Sequence, residues 1–381
     1  MNSLHLCTSE AWGGLELYAC TIMAELSRRG TGVAAVTAPR SKASEFLTRA
    51  GVRTLSFPSG QPLSLANARY LRGLVKEERF NVVHAHFHRD VAAASLGLRS
   101  DRSTRFLLSV YMGVVKKTDP YHRFINRRLD AVLTSSRRLA AMLPGRYALP
   151  ASIVHYLPYG RDISAYRSDP AKRAGIRRSL GCGEDDLLVG TMVRIDPGKG
   201  VIDFIRSLEL VREKIPSGVK YCVVGEPTRK SRQTEGESPF EPHCEEYLRE
   251  IEGYIQSRGM QNSVALAGFQ ADGIGYLSAM DIFVFPSRDE LYSLAVLDAM
   301  AMGLPVIAAA AGGNVDQVAA GESGYLYPVG DSRSLAEYIL LYAGSGDLRK
   351  AHGSAGRQFV FENHSMDRSI AELLELYRPV S

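Results

Sequence analysis

The sequence predicts an α/β protein made of two doubly wound parallel-sheet domains, and three observations lead to this fold class. Short β-rich segments alternate with amphipathic stretches along most of the chain, as they do when helices cover both faces of a parallel sheet. The alternation lapses once into turn-forming and charged residues, at 158–186, and then restarts. The length of 381 residues is also more than one hydrophobic core usually serves.

The individual elements follow from the local patterns. In the first half, β-rich runs predict strands at residues 4–7, 33–37, 53–57, 82–85, 106–110, 131–134 and 153–156. Helices such as 15–29 and 66–79 are predicted between them. In the second half, strands are predicted at 187–193, 221–224, 264–266, 282–285 and 306–309.

These elements define the predicted domains. We expect an N-terminal domain at 1–160, a C-terminal domain at 161–363, and a last helix within 364–381 that is able to cross back to the first domain. In doubly wound sheets the ligand crevice lies at the carboxyl ends of the strands. Two such crevices that face each other would form one central cleft, which is the arrangement we expect.

Composition excludes several classes of protein. The chain has 45% hydrophobic and 23% charged residues, no run of about 18 apolar residues that would predict a membrane span, and no signal-peptide pattern at its start. We therefore expect a cytoplasmic protein. Its five cysteines are scattered without a C-x-x-C pair, so neither a disulfide framework nor a zinc site is predicted.

The net charge of +5 is distributed unevenly. Nine Lys or Arg and two Asp lie between Arg105 and Arg146, mostly in a basic segment from Lys116 to Arg146. Two interpretations stay open: a solvated helical face, or a surface for an anionic partner such as a lipid membrane or a lipid-linked pyrophosphate. The second would place the protein peripherally on the inner face of a membrane. Because no nucleic-acid motif accompanies the segment, we predict no nucleic-acid partner.

One predicted connection is unusually long. Residues 226–242, which follow a strand, are mostly polar and turn-forming. Loops of this length in compact domains are usually functional or disordered. A lid over the crevice and a mobile surface insert both remain open.

The most informative stretch is 286–306, where a polar loop separates a predicted strand from a short apolar helix. Ser293 is a suitable N-cap, and Gly303 ends the helix. The N–H groups exposed at such a helix start favour binding of a pyrophosphate. Glu290 precedes this start, and Asp298 lies inside the helix in apolar company, where an unpaired carboxylate is costly. Both acids are candidates for contacts to sugar and ribose hydroxyls, and for each a merely solvated carboxylate is the alternative.

This stretch resembles the E-x7-E motif, and the A-M-A-x-G-x-P-V sequence after it, of retaining glycosyltransferase family 4, the group 1 glycosyl transferases with the GT-B fold. Here the motif reads Glu290, seven residues, then Asp298 in place of the second Glu. The resemblance implies two Rossmann-like domains, with Glu290 as a catalytic residue at the donor sugar and Asp298 at the nucleotide ribose. It places the diphosphate at the helix start, Ser293 and Leu294.

Further segments match the family in the expected order. Arg194 and Lys199, in a glycine-containing loop after a strand, resemble the two cations that grip the diphosphate, and the resemblance makes them catalytic. Two cations at this place can neutralise the charge of a departing nucleoside diphosphate. Gly225 resembles the glycine of the I-V-G-D/E segment, and Gly268 with Phe269 resembles the turn whose backbone meets the base.

Two Gly-Gly pairs also resemble the family pattern. Trp12, Gly13 and Gly14 open a helix after the first strand and resemble the G-G-x-E loop, whose backbone approaches the donor phosphates or the acceptor. Trp12 is a candidate to stack on an acceptor sugar, with core packing as the alternative. The pair at 312–313 resembles the glycine turn after A-M-A-x-G-x-P-V.

The chain departs from the family at the histidine of the N-terminal domain. The comparable segment, 109–113, contains Tyr111 where many relatives carry a His. Two alternatives stay open: Tyr111 takes over the hydroxyl-binding role as an acceptor-side residue, or the acceptor side is built differently. His86 and His88 follow a strand and are further acceptor-side candidates. Because no cysteine stands near them in the sequence, no metal site is predicted there.

The resemblance implies transfer of a hexosyl or N-acetylhexosaminyl unit from a nucleoside diphosphate sugar, UDP before GDP, to a hydroxyl acceptor. Transfer would proceed with retention and without a metal ion or other cofactor. The basic segment favours a lipid-linked or surface-polysaccharide precursor as acceptor. Two alternatives remain: a nucleotide-sugar epimerase of GT-B architecture, and a non-catalytic sugar- or nucleotide-binding relative, which the departures at Tyr111 and Asp298 suggest.

Overall fold

A computed structural model describes residues 1–61, 63–111, 115–215, 217–230 and 237–378. The chain forms two structural units. Unit 1 contains Met1–Gly160 and the chain from Asp367 onward, and unit 2 contains Arg161–Met366. Within the described residues, each unit is built on its own parallel β-sheet.

The strands of the described residues lie in two sheets. The strands of unit 1 are β1 (Asn2–Cys7), β2 (Gly32–Thr37), β3 (Arg53–Leu55), β4 (Val82–Ala85), β5 (Arg105–Ser109), β6 (Ala131–Thr134) and β7 (Val154–Tyr156). Those of unit 2 are β8 (Leu187–Met192), β9 (Val219–Val224), β10 (Val264–Gly268), β11 (Ile282–Phe285), β12 (Val306–Ala309) and β13 (Gly324–Tyr327). The strand orders are β3-β2-β1-β4-β5-β6-β7 and β10-β9-β8-β11-β12-β13, and all neighbouring strands are parallel.

The helices connect these strands. In chain order they are α1 (Gly14–Arg28), α2 (Lys42–Arg49), α3 (Leu65–Glu78), α4 (Val91–Gly97), α5 (Pro120–Asn126), α6 (Arg137–Tyr147), α7 (Pro170–Ser179), α8 (Val201–Lys214), α9 (Pro242–Ser257), α10 (Gly273–Ala279), α11 (Leu294–Met302), α12 (Asn314–Gln317), α13 (Ser332–Ala343), α14 (Gly346–Asn363) and α15 (Met366–Tyr377). None of them, within the described parts of the chain, is long and apolar enough to cross a bilayer.

The strand order fixes where each unit can bind a ligand. In both sheets the order reverses direction once, between β1 and β4 in unit 1 and between β8 and β11 in unit 2. The loops that leave such neighbouring strands on opposite sides open a crevice at their carboxyl ends. The loop after β1 contains Gly13, and the loops after β8 and β11 contain Lys199 and Glu290.

The predicted fold class is confirmed, and four predicted strands, β4, β6, β11 and β12, have the predicted bounds. Strand β13 was not predicted, because its run begins with Gly324 and reads as a turn. The glycine is needed for packing: a Cβ atom at Gly324 would lie 2.1 Å from the carbonyl oxygen of Val306 on β12. Close approach of two strands, rather than a turn, therefore explains this glycine.

Candidate functional site

The loop between β8 and α8 carries the predicted diphosphate-binding cations. After β8 a single 3₁₀ turn, Pro197–Lys199, leads to Gly200 and then to α8. Gly200 has φ +65°, and a Cβ atom there would lie 2.2 Å from the carbonyl oxygen of Pro286. Only glycine lets this loop pack so closely against the loop after β11.

Lys199 and Glu290, 91 positions apart in the chain, form an ion pair. The Lys199 ammonium lies 2.9 Å from Oε2 of Glu290 and 3.3 Å from the hydroxyl of Ser287, and both charged side chains are 20% exposed. The structure thus brings together two of the three residues predicted to be catalytic. The third, Arg194, is exposed just after β8 and makes no ion pair with the described residues.

A second ion pair, which the sequence analysis missed, holds the same two loops together. The guanidinium of Arg288 makes three hydrogen bonds of 2.7–2.9 Å to the carboxylate of Asp203, a buried residue in the first turn of α8. The Arg288 backbone N–H also donates to the carbonyl of Gly198 at 2.9 Å. An Asp within the apolar face of a predicted helix was the available signal, since a buried carboxylate requires a partner.

The Gly-Gly pair at 312–313 packs against the backbone of Glu290. A Cβ atom at Gly312 would lie 1.6 Å from the carbonyl oxygen of Glu290, and one at Gly313 would lie 1.8 Å from that of Leu291. The Gly313 N–H donates to the Glu290 carbonyl at 2.9 Å. These glycines therefore fix the backbone of Glu290 by close packing.

The start of α11 has the predicted N-cap. The Ser293 hydroxyl accepts a hydrogen bond from the Val296 N–H at 3.3 Å. The side-chain amide of Gln317 accepts from the Ser293 N–H at 2.8 Å and donates to the Ser293 carbonyl at 2.7 Å, a clamp that the sequence analysis missed. By helix geometry the N–H groups of Leu294 and Ala295 have no intrahelical acceptor, so they are available to an anion.

Asp298 is paired within unit 2. Its Oδ1 atom lies 2.7 Å from Nε of Arg161 and accepts a hydrogen bond from the Tyr166 hydroxyl at 2.6 Å. Among the described residues, the hydrogen bond of its Oδ2 atom is a longer one, 3.4 Å from Nη2 of Arg161. Burial, followed by the charge of Asp298, raises the pKa of Tyr166. The pairing explains how this carboxylate is tolerated in an apolar helix, and its contact with a ribose stays a prediction.

Three other predicted donor-binding residues, Gly225, Gly268 and Phe269, lie at strand ends of unit 2. Gly225 has φ +148°, and a Cβ atom there would lie 1.8 Å from the carbonyl of Val193, so β9 leaves the sheet in close contact with the end of β8. The Gly225 N–H donates to the carbonyl of Gly268 at 2.8 Å. Phe269, next to Gly268, is 59% exposed. An aromatic ring exposed at the end of β10 is free to contact a ligand.

In unit 1 the first Gly-Gly pair begins α1. Gly13 is the N-cap, and its N–H donates to the Glu16 carboxylate at 3.1 Å, while Gly14 is the first helical residue. Glu16 also accepts from the hydroxyl of Ser9 at 2.9 Å. Trp12 is half-buried and packs on Phe46 at the edge of the core, with 6.0 Å between the ring centroids.

His86 lies in a buried chain of hydrogen bonds. Its ring nitrogens lie 2.9 Å from Nδ1 of His5 and 3.1 Å from the hydroxyl of Tyr111, and the residue is 1% exposed. His84 lies between the hydroxyls of Ser109 and Tyr377, at 2.8 and 2.7 Å. His86 therefore presents no unengaged ring nitrogen to an acceptor in this conformation. Tyr111 is described, whereas residues 112 and 113 of the same predicted segment lie outside the described residues.

The environment of these histidines keeps them uncharged. Burial lowers the pKa of His5 to about 3 and lowers those of His84 and His86 well below their ordinary value. Burial and the nearby charge of Lys117 lower the pKa of His88 to about 3, and its Nε2 atom lies 3.2 Å from the Asn126 amide oxygen. His5, which the sequence analysis did not select, pairs in register with His84 across β1 and β4.

One member of the predicted basic segment is structural. Arg128 is buried, and its guanidinium donates to the carbonyls of Leu98, Asp101 and Thr104 and to the carboxylate of Asp130. Its place in a surface patch was wrong, because a cation with this many internal acceptors is not available to a partner. Other cations of the segment, Lys116, Arg123, Arg127, Arg137, Arg138 and Arg146, are exposed.

Family models match nearly the whole chain. The model of glycosyltransferase family 4 matches residues 12–165, and the model of the glycosyl transferases group 1 matches residues 172–359. The chain therefore belongs to the group 1 glycosyltransferases of family 4, its fold is GT-B, and its activity is glycosyl transfer.

Known proteins that align with most of this chain agree with this assignment. The chain is similar to the lipopolysaccharide core biosynthesis mannosyltransferase LpcC of Rhizobium leguminosarum bv. viciae, with 24% identity covering 86% of this chain and 88% of that protein. It is 25% identical to the D-inositol 3-phosphate glycosyltransferase of Xylanimonas cellulosilytica, covering 96% and 91%. The crystal structure of Anabaena HepE in complex with UDP has the same fold, with a TM-score of 0.82, 20% identity, and coverage of 98% and 99%.

Proposed function

We propose that this glycosyltransferase moves a hexosyl or N-acetylhexosaminyl unit from a nucleoside diphosphate sugar to a hydroxyl of a lipid-linked or surface-polysaccharide precursor. Transfer proceeds with retention at the anomeric carbon and without a metal ion. The observation that carries the proposal is the Lys199–Glu290 ion pair, set between two loops at the carboxyl ends of β8 and β11.

The charges of this site suit a donor diphosphate. When the sugar leaves, negative charge builds up on the nucleoside diphosphate. Cationic side chains and free backbone N–H groups stabilise that charge. Lys199, the exposed Arg194 and the N–H groups of Leu294 and Ala295 supply that stabilisation. Lys199 also offsets the negative charge of Glu290, whose carboxylate is then able to accept hydrogen bonds from donor sugar hydroxyls beside an anion.

The nucleotide is assigned to the end of the sheet where β9 and β10 terminate. In this proposal the exposed ring of Phe269 contacts the base, and Oδ2 of Asp298, the less engaged oxygen, accepts a hydrogen bond from a ribose hydroxyl. We favour UDP over GDP as the carrier, and the complex of the structural relative HepE with UDP supports this preference. The acceptor oxygen then bonds to the anomeric carbon on the face from which the diphosphate departs, so the new glycosidic bond replaces the sugar–phosphate bond with retention. The leaving diphosphate takes the acceptor proton.

The basic segment supports a membrane-associated acceptor. Of its two acids, Asp130 is paired with the buried Arg128 and only Asp119 is exposed, so the six exposed cations outnumber the exposed acid. Large apolar side chains are exposed in the same segment or next to it: Val115, Tyr121, Phe124 and Met142. Cations next to exposed aromatic and aliphatic groups favour attachment to an anionic lipid surface.

The test of the donor site is a thermal-shift titration with UDP, GDP, ADP and TDP. A nucleotide at a hundred times its dissociation constant adds about 2.7 kcal/mol to the free energy of unfolding. We expect UDP to raise the Tm of the wild type most. Lys199→Ala should lose most of that shift, because a cation at the diphosphate is removed, and both Lys199→Ala and Arg194→Ala should lose far more turnover than stability.

The matched control is Lys214→Ala. Lys214 is exposed at the other end of α8, about 20 Å from Lys199 along the helix, so its loss should leave the shift unchanged. An equal shift in all three proteins would contradict the assigned site. A shift without turnover on any acceptor would favour a non-catalytic relative, and conversion of the donor alone would favour an epimerase.

A further inference from the structure

We infer a second site in unit 2, outside the donor-binding residues: a zinc-type metal site formed by Asp196, His243 and Cys244. The nearest oxygen, nitrogen and sulfur atoms of these three side chains all lie within 4.8 Å of one another. The Cys244 sulfur lies 3.6 Å from Oδ2 of Asp196 and 3.3 Å from Nε2 of His243.

These distances match a tetrahedral ion. With zinc–sulfur bonds of about 2.3 Å and zinc–nitrogen or zinc–oxygen bonds of about 2.0–2.1 Å, neighbouring ligand atoms are separated by about 3.5 Å. Thiolate, imidazole and carboxylate together form a ligand set that favours Zn²⁺ over Mg²⁺ or Ca²⁺. Three protein ligands leave a fourth position for water.

The ligands are already oriented by their surroundings. The Gly198 N–H donates to Oδ1 of Asp196 at 2.9 Å, which turns Oδ2 toward Cys244. Cys244 lies in the first turn of α9, where its N–H donates to the carbonyl of Glu241 at 3.0 Å. Its side chain is buried, while the neighbouring His243 is exposed and gives an ion a path from solvent. Such outer contacts fix metal ligands and strengthen binding.

The course of the chain around these three residues indicates which segments a bound ion would hold together. The long connection 226–242 begins and ends beside this site: the Glu241 N–H donates to the Thr228 carbonyl, and the Lys230 N–H donates to the Pro239 carbonyl, both at 2.8 Å. The lid or surface insert predicted for this connection includes residues 231–236, which lie outside the described residues. A bound ion would join the base of the connection to Asp196, three residues before Lys199. The site is a structural brace and takes no part in the transfer chemistry.

The test uses Co²⁺, which replaces Zn²⁺ and is visible by absorption. Titration of the full chain should give one tetrahedral Co²⁺ per molecule, with a thiolate-to-cobalt charge-transfer band that Zn²⁺ abolishes by displacement. Cys244→Ser should lose the charge-transfer band, because that band requires sulfur as a ligand. The matched control, Cys182→Ser, removes another buried thiol and should keep it.

A second variant protects the test against a folding defect. His243→Ala changes an exposed side chain and should weaken Co²⁺ binding at least tenfold while the Tm of the metal-free protein stays constant. The inference is overturned if the wild type gives no charge-transfer band, or if the band survives in Cys244→Ser. Neither readout depends on nucleotide binding, so failure here and failure of the donor site are distinguishable.

Discussion

At the scale of single residues, glycines and charge pairs shape the candidate site. Lys199 and Glu290 would not form an ion pair if their loops were apart. Gly200 and Gly312 bring the loops into contact, because a side chain at either position would collide with a neighbouring carbonyl. The position of Glu290 therefore depends on a glycine, Gly312, which has no functional side chain of its own.

This dependence can be tested at Gly312. Gly312→Ala places a Cβ atom 1.6 Å from the Glu290 carbonyl oxygen and also requires a left-handed conformation, φ +49°. We expect a loss of about 1–2 kcal/mol from the conformation, a further loss from displacement of the loop, and a reduction in turnover. Urea unfolding and a donor-turnover assay measure the two effects.

The control for Gly312 is Gly181→Ala. Gly181 has φ +66°, but a Cβ atom at this position would have no other atom within 4 Å, so only the conformational cost applies. Turnover should stay normal in this variant. If Gly312→Ala is as stable and as active as Gly181→Ala, close packing does not position Glu290.

At the scale of elements, a cluster of histidine side chains joins strands β1 and β4 in addition to their backbone hydrogen bonds. His5 and His84 pair in register, and the ring of His86 continues the cluster toward Tyr111. Buried imidazoles with lowered pKa values stabilise the folded chain only while they are uncharged. The central strands of unit 1 should therefore be sensitive to acid.

The expected pH dependence has a definite sign. Burial lowers the pKa of His5 from 6.5 to about 3, so between these values the unfolded chain binds a proton that the folded chain does not. Stability is complete above the unfolded pKa and falls as the pH drops through 6.5. Each such histidine costs about 1.4 kcal/mol between pH 7.5 and 5.5. Asp90 acts oppositely, because burial raises its pKa to about 6 and the folded chain retains that proton.

Urea unfolding followed by tryptophan fluorescence measures this effect, because Trp12 in unit 1 is the only tryptophan of the sequence. We expect several kcal/mol less stability at pH 5.5 than at pH 7.5, and a smaller difference in His5→Gln. Lys214→Ala, which changes an exposed residue of unit 2, should leave the difference unchanged. Equal stability at both pH values would show that the cluster is not held uncharged.

At the scale of the whole molecule, the chain leaves unit 1 after Gly160 and returns to it with α15. The return is specific within unit 1: the Tyr377 hydroxyl reaches His84, and the Ser369 hydroxyl donates to the carbonyl of Pro158 at 3.0 Å. The two ends of the sequence thus contribute to one unit. The proposed lipid-binding surface lies in this unit, whereas the proposed donor site lies in unit 2.

Vesicle sedimentation tests the proposed surface. The double variant Arg137→Gln/Arg138→Gln should bind vesicles of phosphatidylglycerol and phosphatidylcholine more weakly. The loss in binding free energy should be about 2 kcal/mol, because each cation near an anionic surface contributes about 1 kcal/mol. The control pair, Arg178→Gln and Arg333→Gln, removes exposed cations of unit 2. Equal binding of wild type and the first variant, or equal binding to uncharged vesicles, would contradict a charge-directed lipid surface.

The sequence by itself determined the class of fold and the position of the loops that matter. The alternation of β-rich and amphipathic segments, the lapse at 158–186 and the strands β4, β6, β11 and β12 were all predictable, because hydrophobic periodicity is a local property. The N-cap at Ser293 and the stop at Gly303 were predictable for the same reason, since capping depends on a few adjacent residues.

Only the tertiary structure decided which side chains meet. Lys199 reaches Glu290 across 91 positions, Arg161 and Tyr166 reach Asp298, and Cys244 reaches Asp196. These pairings depend on strand order, on register and on the close approach of loops at glycines. No short-range pattern encodes those quantities, because they are set by the packing of segments that are distant in the sequence.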